Sequence, residues 1–127
     1  IVSCSGSERT DTLLTLPETP PPSHVQSTDL IQRGEAFYEK FSDMPFTGNV
    51  TGREQGAMEN GIREGNWLFY YESGQLLLKT YYINGSKSGE EITYYENGAL
   101  LSKGEYLDGK RVLPTWKIYD ESGNPIL

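Results

Sequence analysis

Turn dipeptides that end in glycine recur at alternating intervals, and they constrain the fold of this chain more than any other feature. Successive pairs begin 13, 11, 13, 11 and 14 residues apart, so the pattern repeats every 24 residues. A fixed period of this length indicates a repeat array in which each unit packs mainly against its neighbours. The dipeptides are Asn60-Gly61, Ser73-Gly74, Asn84-Gly85, Asn97-Gly98, Asp108-Gly109 and Ser122-Gly123.

Two complete units align without a gap. GNWLFYYESGQLLLKTYYINGSKS (65–88) lies over GEEITYYENGALLSKGEYLDGKRV (89–112). A degenerate unit (about 42–64) precedes them, and a partial unit (113–127) follows after a one-residue insertion. Each unit holds two runs rich in Tyr, Leu, Ile and Thr, and Asn-Gly and Asp-Gly favour two-residue hairpin turns. The sequence therefore predicts an all-β fold, an antiparallel β-meander of tandem hairpin repeats of about 24 residues.

The chain before the array divides in two. Residues 1–28 are rich in Ser, Thr and Pro, and the stretch PETPPPS favours neither a helix nor a sheet, so a disordered tether is predicted there. The single histidine, His24, is expected to be solvated within it. The folded domain is predicted to span 29–127, beginning with strands at about 30–33, 36–41 and 46–51, because Gly34 disfavours a helix.

The first residues, IVSCSGSE, resemble the end of a bacterial lipoprotein signal. That resemblance implies lipidation of Cys4 and a place in the bacterial cell envelope, with the membrane contacted only through this anchor. The alternative is an ordinary cysteine in a cytoplasmic protein.

Composition argues against several classes of function. A formal charge of -7 disfavours nucleic acid and favours a cationic or neutral partner. A nucleophilic triad needs a histidine in the folded part, but the single histidine, His24, lies in the predicted tether. A structural zinc site needs several Cys or His ligands, and the chain has one of each. Adjacent acids such as Glu90 and Glu91 point to opposite faces of a strand. The sequence predicts no enzyme, no cofactor and no metal site.

Strand alternation divides the aromatic and aliphatic residues between two faces. One set, Leu68 and Tyr70, stays apolar in the next unit as Ile92 and Tyr94, and we predict it to be the core. On the second strand of the unit the same reasoning places Leu76, Leu78 and Tyr82 in the core. Their equivalents in the next unit are Leu100, Ser102 and Tyr106.

The other set changes character between units, which indicates a surface free to bind a partner. Trp and Tyr are frequent anchors in protein interfaces. The alternative is that the N-terminal strands, with Phe37, Tyr38 and Phe41, cover this face. Lys79, Lys103, Lys110 and Arg111 are expected to be solvated. The candidate protein-binding residues are Trp67, Phe69, Tyr71, Tyr95 and Trp116.

The core pattern G-x-W-x-x-Y-Y-x-x-G-x-L, the 24-residue period and PFTG (45–48) resemble the bacterial MORN-repeat-variant proteins. Many of those carry the label of YwqK-type antitoxins of toxin–antitoxin systems. The resemblance implies a non-enzymatic β-repeat module that neutralises a partner toxin by direct binding. The alternative is a lipid-anchored structural or scaffold lipoprotein of the envelope, and the oligomeric state stays open.

Overall fold

The computed structural model describes residues 24–127, which form eleven strands and one short 3-10 turn at Ser27–Asp29. The strands are β1 (His24–Gln26), β2 (Leu30–Arg33), β3 (Ala36–Glu39), β4 (Gly48–Thr51), β5 (Glu54–Glu59), β6 (Ile62–Tyr70), β7 (Leu76–Ile83), β8 (Ser86–Lys87), β9 (Gly89–Tyr94), β10 (Leu100–Leu107) and β11 (Lys110–Ile118).

One large sheet has the strand order β11-β10-β9-β7-β6-β5-β4-β1, and the short β8 pairs with β7. Neighbouring strands are antiparallel except β1 and β4, which run parallel. Strands β2 and β3 form a separate antiparallel hairpin. The predicted all-β meander is confirmed, because nearly every strand pairs with the next one along the chain.

The start of the sheet lies earlier than the sequence indicated. Val25 of β1 is buried against the core, so residues 24–28 belong to the fold and not to the tether. His24 is exposed, as expected. The predicted tether up to residue 23 and the predicted lipidation of Cys4 lie outside the described residues. Strand β3 ends before Phe41, whose φ of 67° is incompatible with an extended strand.

Two kinds of turn alternate along the array. At Asn60-Gly61, Asn84-Gly85 and Asp108-Gly109 both residues have positive φ, between 50° and 82°, as the predicted two-residue hairpin turns require. At Gly74, Gly98 and Gly123 the glycine alone has positive φ, and a longer loop forms. Asn97-Gly98 therefore differs from the other Asn-Gly pairs.

Hydrogen bonds link equivalent turns of neighbouring units. The Gly85 amide donates to the Arg63 carbonyl at 3.1 Å, and the Gly109 amide donates to the Lys87 carbonyl at 2.8 Å. The 24-residue period of the sequence is thus a period of backbone contacts. These two turns are each hydrogen-bonded to the unit before them.

The core lies on the face of the sheet that carries Trp67, which corrects the predicted core of Leu68 and Tyr70 and their equivalents. Those side chains are half-buried on the opposite face. The N-terminal segment decides this, because it covers the Trp67 face and leaves the other face open. The core residues are Val25, Phe46, Val50, Met58, Trp67 and Tyr82, with Leu30, Phe37 and Phe69 packed against them.

Candidate functional site

The Trp67 ring lies directly over Gly56 of the neighbouring strand β5. A methyl group at Gly56 would lie 2.3 Å from the ring, so only glycine fits beneath it. The indole N–H donates to the Ala57 carbonyl at 3.0 Å, and the side chain is 0% exposed. Trp67 therefore joins two strands from within the core and has no surface to offer a partner.

Trp116 repeats this arrangement at the far edge of the sheet. Its ring covers Gly104, where a methyl group would lie 2.2 Å away, and its indole N–H donates to the Glu105 carbonyl at 3.1 Å. Trp116 is also buried. Burial corrects the prediction that Trp67 and Trp116 form an exposed contact surface. The alternative, in which the N-terminal strands cover the Trp67 face, holds for Phe37, which packs against the core, but not for Phe41, which is fully exposed.

The other three candidate binding residues are partly accessible. Phe69 packs against the core. The Tyr71 hydroxyl donates to the Tyr94 carbonyl at 2.7 Å, and the Tyr95 hydroxyl donates to the Tyr119 carbonyl at 2.7 Å. These tyrosines connect one unit to the next. This structural role explains why both complete units have a tyrosine here, and no binding partner is needed to explain it.

Tyr71 also borders an open depression of about 430 Å³. Arg53 supplies a cation at its wall, Glu72 supplies a carboxylate, and Tyr70 supplies a second ring. The next unit has Leu77 in the position of Arg53, so the cation at this wall is not repeated there.

Between these two tryptophan sites, the repeat has a different pair of residues. Glu91 stands at the position equivalent to Trp67, and Thr80 stands at the position equivalent to Gly56. Both are buried, and the Glu91 side chain is 7% exposed. The Lys87 ammonium lies 2.6 Å from Glu91 Oε1. Glu91 Oε1 has no hydrogen-bond partner, so the contact is an ion pair. A buried carboxylate paired with a partly exposed ammonium thus occupies the place that a ring on glycine occupies in the flanking units.

A row of cations follows the same 24-residue step on the core face: Arg63, Lys87 and Arg111. Sequence reasoning treated Arg111 as merely solvated and did not single out the other two, although their spacing was the available signal. The Arg63 side chain is 22% exposed, and its guanidinium pairs with Glu54 Oε1 at 2.9 Å. Four rings surround it at 4.8, 4.9, 5.5 and 5.7 Å, those of Phe37, Trp67, Phe69 and Tyr82.

Arg111 sits in a more open version of this site. Its guanidinium carbon lies 4.4 Å from the Trp116 ring centre, and its Nε donates weakly to the Tyr106 hydroxyl at 3.5 Å. Tyr106 meets Trp116 edge to face with ring centres 5.4 Å apart, and Lys87 Nζ lies 5.0 Å from the Tyr106 ring centre. Cation–π contacts of this kind stabilise by ~0.5–1 kcal/mol at exposed sites and about 2 kcal/mol when desolvated.

Comparison with protein families matches two segments, 63–84 and 87–108, to the MORN repeat variant. These two segments are MORN repeats. Each match begins at a cation of the row, Arg63 or Lys87. It ends at the first residue of the next two-residue turn, Asn84 or Asp108. No curated protein and no solved structure matches the chain.

Further features of residues 24–127 bear on function. No group of three or more His, Cys, Asp or Glu side chains is placed to hold a metal ion. Within the same part of the chain, no helix is long and apolar enough to cross a membrane. MORN repeats are non-catalytic modules that commonly bind proteins or membranes.

Proposed function

We propose that this protein is a non-enzymatic, protein-binding MORN-repeat module. The observation that carries the proposal is that equivalent positions share their turns and hydrogen bonds but differ in their exposed side chains. Glu59, Ile83 and Leu107 occupy the same place before three equivalent turns, and all three are exposed. Ile83 and Leu107 are 51% and 63% exposed, although burial would stabilise such side chains. A rigid array with a varied surface suits recognition of a specific partner.

The finer proposal is that the partner is a toxin and that the module neutralises it by covering its surface. Its support is the resemblance carried by G-x-W-x-x-Y-Y-x-x-G-x-L and PFTG. The internal packing at Trp67 and Trp116 favours this mode of action, because a preformed surface loses little conformational entropy on binding.

The test begins with the full chain, tagged and cross-linked in its source cells, followed by mass spectrometry of what co-purifies. A candidate partner is then purified and mixed with the module, and we expect a defined complex by size-exclusion chromatography and a saturable heat of binding. If no purified candidate binds, protein binding is refuted. For the antitoxin role, expression of the partner alone should stop growth and co-expression of the module should restore it; growth arrest that persists would exclude that role.

The alternative is a lipid-anchored scaffold of the bacterial envelope, and its support is the resemblance of IVSC to the end of a lipoprotein signal. Labelling with a palmitate analogue should then mark the native protein and vanish in Cys4→Ala. Labelling that is absent, or unchanged in the variant, excludes the anchor. The two functions are compatible, since an anchored module still exposes its array.

A further inference from the structure

We propose that Arg111 and Tyr106, which contact the buried Trp116 ring, form the docking site for a partner-protein segment that carries a carboxylate next to an aromatic side chain. The inference rests on the proposed protein-binding function and specifies the surface and the chemistry of the partner. The three residues lie on the core face of β10 and β11, at the edge of the large sheet that β11 forms.

The closed site around Arg63 is the internal template. There the chain itself supplies both elements that a guanidinium attracts. Glu54 provides a carboxylate at 2.9 Å, and Phe37 provides a ring at 4.8 Å. Phe37 belongs to the hairpin β2–β3, which is not part of the large sheet and lies over it as a separate segment.

The second cation of the row is satisfied in a different way. Glu54 stands nine residues before Arg63, and the equivalent position before Lys87 is occupied by Leu78. Lys87 therefore has no counterpart of the Glu54 carboxylate. Glu91 supplies the carboxylate instead. Two of the three cations on this face are therefore neutralised within the chain.

Within residues 24–127, Arg111 has no counterpart of the carboxylate that Glu54 supplies to Arg63, nor of the covering ring that Phe37 supplies. Ser102 stands at the position of Glu54, and its short, buried side chain brings no charge. Trp116, not a glutamate, stands at the position of Glu91, and no described carboxylate lies within ion-pair distance of Arg111. Its guanidinium contacts Trp116 and the Tyr106 hydroxyl and is otherwise exposed.

A partner segment would complete this site as Glu54 and Phe37 complete the site of Arg63. Its carboxylate would accept hydrogen bonds from the guanidinium, and its ring would cover the open side of Arg111. Lys87 lies beside Tyr106, but Glu91 already pairs with it, so Arg111 supplies the positive charge that is open to a partner carboxylate. The chain as a whole carries -7, which favours a short acidic segment over a broadly acidic partner surface.

The nearby acids do not occupy the site. Glu105 precedes Tyr106 on the strand and therefore projects from the opposite face. Asp108 lies in the turn between the two strands. Glu91 is the acid closest along the row, and Lys87 already pairs with it.

The test uses random twelve-residue peptides displayed on phage and selected on the full chain. We expect enrichment of Asp or Glu within two positions of Phe, Tyr or Trp. A synthetic peptide of the enriched sequence is then titrated while the Trp116 indole N–H signal is followed by NMR. That signal should shift, and the signal of the enclosed Trp67 should not.

Arg111→Gln should weaken binding of this peptide by about tenfold or more, because a charge-assisted contact is lost. The matched control is Arg33→Gln, which removes another exposed arginine that lies 4.7 Å from a tyrosine ring centre, that of Tyr38. It should bind as the unaltered chain does. The unfolding midpoint of each variant shows that the fold persists.

Four results would overturn the inference. Selected peptides without acidic residues, or acidic ones that bind Arg111→Gln equally well, mean that this surface is not the site. If the purified protein partner binds Arg111→Gln at full affinity, the docking site is wrong while the proposed function stands. Binding of vesicles with anionic lipid that depends on Arg111, with no peptide enriched, assigns the surface to membranes instead.

Discussion

Replacing Gly56 with Ala tests the packing of a tryptophan ring on glycine, which organises this sheet. The backbone at Gly56 is not in the left-handed region, so alanine can adopt it and the cost is steric alone. The added methyl would lie 2.3 Å from the ring carbons of Trp67, whereas carbon atoms in contact need about 3.5–4.0 Å. Strands β5 and β6 must separate, or the ring must move by more than about 1 Å.

Neither relief is cheap, because Trp67 is fully enclosed and its indole N–H is bonded to the Ala57 carbonyl. Overpacking of a core costs about 1–3 kcal/mol, and a lost hydrogen bond costs about 1 kcal/mol more. Alanine recovers roughly 0.5 kcal/mol by restricting the unfolded chain. We therefore expect the free energy of unfolding to fall by about 3 kcal/mol, which lowers Tm by roughly 10–20 °C for a domain of this size.

Urea unfolding followed by tryptophan fluorescence measures the change. Gly104→Ala is the matched comparison, since its methyl meets Trp116 at 2.2 Å. We expect a loss of only about 1–2 kcal/mol there, because Trp116 lies on the edge strand and can tilt toward solvent. Combining Gly56→Ala with Trp67→Leu should cost less than the sum of the two changes by about 1 kcal/mol or more. A stable Gly56→Ala variant, or strict additivity, would refute the reasoning.

Three further changes test other contacts. Lys87→Met leaves the buried Glu91 carboxylate without its partner and should lower the free energy of unfolding by about 3 kcal/mol, more than Glu91→Gln does. If Lys87→Met is as stable as the unaltered chain, the ion pair is dispensable. Gly85→Ala forces a φ of 82° on alanine and brings its methyl to 2.9 Å from the Ile62 side chain, so thermal unfolding should show a larger loss than Gly98→Ala, by about 1 kcal/mol. Hydrogen bonds, first from the Asn124 amide, hold the pKa of Asp120 below its ordinary value of 3.8. Its contribution to stability is therefore present above the unfolded-state pKa and lost as the pH falls through the folded-state pKa. An NMR titration should place the Asp120 midpoint below 3.8, and a midpoint at or above that value contradicts the account.

Local turn chemistry was readable from the sequence. Asn60-Gly61, Asn84-Gly85 and Asp108-Gly109 form two-residue turns because these residue types tolerate positive φ, whatever surrounds them. The hairpin at 30–39 was also predictable, since Gly34 with a φ of 64° marks its turn. The beginning of the sheet was not, because β1 pairs with β4, which lies far from it along the chain.

The sequence by itself determined the repeat period, the strands and the turns, because these depend on residues close together along the chain. Only the tertiary structure decided which face is buried. Both faces of β6 are apolar, and the choice depends on Phe46 and other distant residues that cover Trp67. It depends equally on glycines of neighbouring strands, which let the rings of Trp67 and Trp116 lie flat on the sheet. The same distant contacts close the site at Arg63 and leave the equivalent one at Arg111 open, because only the first has the N-terminal hairpin above it.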